Sequence, residues 1–289
     1  MSHWDEPVWA AIWIAKATKM IGVPRYSYHL DVAKAKYCEN YYTELVADCF
    51  SDSEEEWWKI NYEYMWLEVF SYSEKQPAIM ALLASLTNKE YFLKKIFEWY
   101  EYLGGNDPFT ETHPEFSNGG LLIYKNWGKY DGTHLGELGP LRYANNAAFI
   151  SLLTAKLVDN PEQKQVYVKW AQQQVWYTLG DNPANYSFVI GFGTSYPRKP
   201  YHTGSSCPEY DTTCGCPWFY SPDNNPIELL GAVVGGPDFN DRYTDDRLNR
   251  VSSAVGIDHM VGFTSAVAAL ADLTRFGGRS DSNVLNMWS

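Results

Sequence analysis

Residues 181–250 constrain the fold most. Seventy consecutive positions rich in glycine and proline show no helix-length apolar period. Loops of that length are uncommon in a compact domain and usually carry function. On both sides apolar residues recur every three to four positions, the spacing that lines one face of a helix. Residues 6–17 form the first such segment, with Asp5 at the cap position and Pro7 in the first turn. Residues 32–50, 55–70, 77–86 and 90–103 follow, the last two separated only by Thr87, Asn88 and Lys89. Residues 104–120 hold Gly-Gly, Asp-Pro and Asn-Gly-Gly steps and are expected to form a loop. A second helical pair spans 141–157 and 161–179, with Gly180 placed to stop it. A final helix is expected over residues 252–276. Helix pairs with short turns, plus one elaborate loop region, predict an all-α fold: an α/α barrel or toroid whose working face is built from loops.

The length, 289 residues, allows one large core, and residues 1–289 are expected to form a single domain. With 45% hydrophobic and 20% charged residues the chain is ordinarily globular. A net charge of -12 repels a phosphate backbone, which excludes nucleic acid as a partner class. No apolar run approaches the roughly 20 residues of a membrane span. The segment after Met1, SHWDEPVW, has neither a basic n-region nor an apolar h-region, so the sequence shows no signal peptide. Aromatic residues reach 16%, with 12 Trp and 22 Tyr. They can fill a core of large rings or line a cleft where flat rings stack on sugars.

The cysteines are Cys38, Cys49, Cys207, Cys214 and Cys216. Three of them lie in CPEYDTTCGC, without a second CxxC or a His pair to complete a zinc site. A local disulfide from Cys207 to Cys214 or Cys216 is expected, which implies an oxidising compartment. Cys38 and Cys49, eleven apart on one helix, are out of each other's reach.

The segments WDEPVWAAIWIAKAT and FSYSEKQPAIMALLASLT resemble the DELVW-type helix entry and the SWDDK segment of glycoside hydrolase family nine, the inverting endoglucanases. SNGGLLIYKNWG and PLRYANNAAF are similar to its GGLL…WG and LRYA-N-AF pieces, here separated by an apparent insertion at 129–139. LGDNPANYSFVIGFGTSYPRKPYHTGSSCP resembles the first family signature, and GGPDFNDRYTDDR through VGFTSAVAAL the second. The matches keep the family's order from Trp4 to about Leu273. The resemblance implies a six-hairpin (α/α) barrel. It also implies N-terminal truncation, because the family's Asp-Ala-Gly-Asp segment with the catalytic base precedes the DELVW-type motif and does not occur in this sequence.

Inverting hydrolysis needs an acid to protonate the leaving oxygen and a base to activate water from the opposite face of the sugar. The family's acid is the Glu of VSNEVAxDYNAGF. Against VSSAVGIDHMVGF, that Glu falls on Ala254, and Asp258 matches a different family position one helical turn on. The first signature ends in His-x-Arg, whose side chains contact the sugar; Tyr201 and Thr203 stand there, with His202 between them. No catalytic residue is therefore expected. Trp127, Arg142 and Tyr143 match cleft-lining positions, although Arg142 and Tyr143 can equally hold the helix start. His202 can contact a sugar or be a loop histidine. Asp245 matches the second signature's Asp, and an ion pair with Arg247 is its expected structural role. Asp5 and Glu6 match the family's calcium ligands, with Ser73-Glu74 in place of Asp-Asp, so calcium is the one cofactor the resemblance implies.

A partial barrel exposes apolar helix faces, which predicts a partner: another chain, or a second copy, covering the open edge. Residues 51–58 and 129–139 are candidates for such contacts. The expected function is a catalytically inactive structural or assembly protein in the secretory pathway or outside the cell. The alternatives are a glycan-binding pseudoenzyme, or an endoglucanase of β-1,4-glucans completed by another chain.

Overall fold

The computed structural model describes residues 5–41, 70–71, 75–87, 90–103, 114–124, 139–208 and 214–276. The chain divides into two compact units, residues 1–99 with 285–289 and residues 100–284.

In the first unit, helix α1 (Asp5–Met20) buries Val8, Ala11, Ile12 and Ala15 and packs on α2 (Tyr26–Tyr41) and α3 (Gln76–Thr87). Helix α2 starts six residues before the expected 32. Tyr26-Ser27-Tyr28-His29 carries no apolar stripe to mark a helix, so the turn sets its start. The Val23 N–H donates to Thr18 O to close α1, and the Tyr26 N–H donates to Val23 O to open α2. Leu30, Ala33 and Tyr37 form its buried stripe. Helix α3 is buried at every position from Gln76 to Ala84, as an interior helix must be to be apolar all round. Helix α4 (Glu90–Leu103) buries Phe92, Ile96 and Trp99, and Phe92 meets Tyr37 edge-on at 5.7 Å. Residues 55–69 of the helix expected over 55–70 lie outside the described residues, as do residues 51–58 and 129–138 of the two apparent insertions.

In the second unit the expected loop 104–120 ends in a hairpin. Strand β1 (Pro114–Phe116) runs antiparallel to β2 (Leu122–Tyr124), with Glu115 opposite Ile123. Three-residue strands are too short to show an alternating pattern, which is why glycine punctuation dominated there. Gln174, on a helix that follows, fastens the hairpin by accepting from Leu122 N–H at 2.8 Å and donating to Gly120 O at 2.9 Å. Helices α5 (Pro140–Leu157) and α6 (Pro161–Leu179) fall within one residue of expectation. Asn160 caps α6 by accepting from Glu162 and Gln163 N–H, and Gly180 at φ 120 ends it.

The expected last helix is two pieces, α8 (Arg250–Ser253) and α9 (Ile257–Phe276). Residues 254 and 255 leave the helix to pair with other segments: Ala254 bridges Tyr201, and Val255 bridges Val234. Helix α9 lies on α5 so closely that a Cβ on Gly262 would stand 2.1 Å from Asn146 Oδ1. The 181–250 region is not free of helix, for it contains a 3₁₀ turn (Gly204–Ser206) and the single-turn α7 (Cys216–Phe219). It is stitched to the helices through GGPD. The Leu141 N–H donates to Gly235 O, the Gly236 N–H donates to Ser252 O, and a Cβ on Gly235 would stand 1.9 Å from Val251 O. Among the described residues no helix is long and apolar enough to cross a membrane.

Candidate active-site region

The interruption between α8 and α9 positions the centre of the site. Ala254, extended at φ -61 and ψ 143, runs parallel to Tyr201, whose N–H donates to Ser253 O at 2.7 Å. Two positions 53 apart in sequence, those matched to the family's acid and histidine, are thus neighbours in space. What stands there is a methyl group and a phenol. The Tyr201 ring is held edge-on against Phe219, 5.6 Å between centroids at 86°. His202 and Thr203 are exposed. His202 Nδ1 accepts from Ser205 N–H at 3.1 Å, so in the neutral ring the proton sits on Nε2. The Thr203 carbonyl accepts from the Ser206 hydroxyl.

Asp258, in the first turn of α9, is engaged elsewhere. Its Oδ2 accepts from Arg142 Nη1 at 2.7 Å. Arg142 is buried, 1% exposed, while the Asp258 side chain is 42% exposed. Arg142 Nη2 also donates to Tyr143 Oη at 3.0 Å, and the guanidinium lies 4.7 Å from the centre of the Tyr143 ring. Arg142 and Tyr143 therefore tie the start of α5 to the start of α9. Beside them His259 is buried and its pKa is pulled down to about 4, first by burial and then by the charge of Arg142; Asp258 and the Val233 backbone oppose the shift.

The expected Asp245–Arg247 ion pair does not form. Asp245 instead accepts from the backbone N–H groups of Arg198 (2.7 Å) and Lys199 (3.0 Å), fixing the segment that leads into Tyr201. Arg247 is buried and donates to the backbone carbonyls of Trp218, Phe219, Ser221 and Asp223. The two side chains of this DDR turn thus serve backbone polar groups of two different loops, which spacing in the sequence does not reveal. No motif or spacing singles out Asp241 in the sequence. At φ 60 it accepts from Gly119 N–H (2.7 Å) and from Tyr177 Oη (2.6 Å). Burial and that carboxylate push the Tyr177 phenol far up. Tyr186 and Tyr243 are likewise raised, by burial first and then by the charge of Asp245, and both rings pack with Phe188.

Cys207 is bonded to Cys214, and Cys216 is a free, exposed thiol. Trp127 and Cys49 lie outside the described residues, as does the side chain of Cys38. In the first unit, Asp5 and Glu6 both face Lys75. The Lys75 N–H donates to Asp5 Oδ2 at 2.8 Å, and its ammonium is 2.7 Å from Glu6 Oε1 and 3.6 Å from Asp5 Oδ2. Asp5 therefore accepts from a distant backbone group instead of capping its own helix. A hard cation needs six or more oxygens, and of the candidate positions the described residues hold only these two carboxylates, which share Lys75. Ser73 and Glu74 are outside the described residues.

The family model for Glycosyl hydrolase family 9 matches residues 1–267. Endoglucanase B of Cellulomonas fimi is 32% identical over 277 residues, covering 95% of this chain and 22% of that protein. An endoglucanase of Dictyostelium discoideum is 32% identical, over 93% of this chain and 30% of its own length. Among solved structures, the endoglucanase of the termite Nasutitermes takasagoensis superposes with a TM-score of 0.73 at 33% identity, covering 95% of this chain and 52% of that one. Endoglucanase CelQ from Clostridium thermocellum, complexed with cellotetraose, gives 0.70 at 28% identity, over 97% and 40%. The chain spans about half the length of these solved relatives and less of the curated ones. Its mostly helical elements are those of the (α/α) six-hairpin barrel, and the chain belongs to glycosyl hydrolase family 9.

Proposed function

We propose that this chain is a family 9 scaffold that does not cleave β-1,4-glucans through its own residues and that serves in an assembly. The pairing of Ala254 with Tyr201 carries the first half. A methyl group cannot protonate a leaving oxygen, and a phenol and a threonine replace the sugar-contacting His-x-Arg. The nearby carboxylates are committed to structural bonds, Asp258 to Arg142 and Asp245 to two backbone amides.

Two helix faces support the assembly role. Helix α9 presents Ile257, Val261, Thr264, Ala268 and Ala271 to solvent along one side, with Ile257 86% exposed. In the first unit, α1 is apolar on its outer face too, with Ala10, Trp13, Ile14, Ala17 and Met20 exposed. A helix apolar all round is normally buried. The occupant of these faces is another chain or a second copy. The Cys207–Cys214 disulfide supports a location in the secretory pathway or outside the cell. Sedimentation equilibrium of the purified protein, with every chain identified, tests the assembly. A stoichiometric complex is expected; a monomer at micromolar concentration rejects it.

A second reading, a glycan-holding pseudoenzyme, is favoured by the solved relative complexed with cellotetraose and by exposed aromatic rings beside Tyr201. Reducing ends released from a soluble cellulose derivative would reject both.

A further inference from the structure

We propose that Asn185 is the acceptor of an N-linked glycan when the chain passes through a secretory pathway. The inference rests on the location read from the Cys207–Cys214 disulfide, and not on the loss of hydrolysis or on the assembly role.

Asn185-Tyr186-Ser187 is the one place in the sequence where an asparagine is followed, after a residue other than proline, by Ser or Thr. That spacing is the one at which an asparagine amide can accept a glycan. Three residues match often by chance, so exposure and hydrogen bonding decide. Asn185 lies in the turn that follows α6, where Pro183, Ala184 and Asn185 are exposed in succession. The turn is held by a different asparagine. The Asn182 amide donates to the Tyr177 and Tyr186 carbonyls, both at 2.8 Å, and its oxygen accepts from the Ala184 and Tyr186 N–H groups. Asn182 is itself followed by Pro183, which bars it as an acceptor. With that work done by Asn182, the Asn185 side-chain amide makes no hydrogen bond among the described residues. A glycan on its Nδ2 therefore displaces no contact of the fold.

The other two positions fit the same event. Asn185 has φ 48, a left-handed conformation that Gly or Asp would also accept, but neither of those carries an amide nitrogen. Ser187 is 3% exposed, and its hydroxyl donates to Val189 O and accepts from Val189 N–H, both at 3.0 Å. The hydroxyl is thus consumed once the chain has folded, so transfer precedes closure of this turn. Asn185 stays outside afterwards, and the finished fold can carry a bulky, solvated group there. The donor is an oligosaccharide joined through C1 to a lipid diphosphate. The C1–O bond to the diphosphate breaks, a C1–N bond to Asn185 Nδ2 forms, the lipid diphosphate departs and one amide proton is lost to a base. No oxidant or reductant takes part.

Intact mass and peptide mapping of the full chain, carried by a cleavable leader through the secretory pathway of insect cells, test the site. Wild type is expected to show an upward mass shift that peptide-N-glycosidase removes, with position 185 of the released peptide then reading as Asp. Asn185→Asp keeps a side chain that tolerates φ 48 and should lose the shift, with the thermal midpoint of deglycosylated wild type. An unmodified Asn185 in secreted wild type, or a shift that persists in Asn185→Asp, overturns the proposal. The leader delivers the chain whatever its natural address, so a missing glycan counts against the site and is not read as a failure of the location.

Discussion

At the residue scale, Arg142, Asp245 and Asp258 are held by hydrogen bonds within the fold, and their substitution should register as lost stability. Asp245→Asn removes one of two acceptors and presents an amide to a backbone N–H, so a loss of about 1–3 kcal/mol is expected by urea titration. Asp258→Asn leaves the buried Arg142 guanidinium without its carboxylate and should cost more than Arg142→Met, which leaves only a part-exposed carboxylate at the start of α9. His259 gives a pH signature. Its folded pKa of about 4 lies below the unfolded value near 6.5, so on acidification the unfolded chain takes the proton first. That contribution is constant above about pH 6.5, and stability is lost as the pH falls from there towards 4. In His259→Gln the drop in thermal midpoint between pH 7 and pH 4.5 should shrink; an unchanged drop would contradict the burial argument. The motif matches put Tyr201, Thr203 and Ala254 at one site, and the bridge between Tyr201 and Ala254 brings two of them together. The true partners of Asp245 and Arg247 were not legible, because both side chains satisfy main-chain groups 24 to 47 residues away, and backbone acceptors leave no trace in side-chain spacing.

Among the elements, long amphipathic segments were legible and short ones were not. Helices α5 and α6 carry their own signals, Pro140, Pro161, the Asn160 cap and Gly180. The start of α2, the β1–β2 hairpin and the break between α8 and α9 depend on partners elsewhere in the chain. The break matters most, since a continuous helix from 252 would carry position 254 around a helical turn instead of alongside Tyr201. Close approach at Gly262 supplies a test of how α9 is seated. Gly262→Ala puts a Cβ against Asn146 and should destabilise by about 1–3 kcal/mol, read as a lower midpoint in urea. A neutral result would mean that α5 and α9 can separate without cost.

For the whole molecule, family membership and loss of the acid point in one direction. The scaffold pieces GGPD, DDR and the disulfide loop are kept and have identifiable mechanical uses: seating α5, fixing the 198–199 segment, wrapping the 218–223 turn. At the positions that the family resemblance assigns to the acid and to the His-x-Arg pair stand Ala254, Tyr201 and Thr203, and a methyl group cannot donate a proton. The most direct measurement is the time course of cellotetraose with the purified chain between pH 4 and pH 8, followed by chromatography beside an Asp258→Asn variant. Intact cellotetraose at every pH, in both proteins, is expected. Cellobiose formed by the wild type and abolished in Asp258→Asn would show that a carboxylate one turn beyond Ala254 has taken over the acid's work, contrary to the reading of this site as non-hydrolytic.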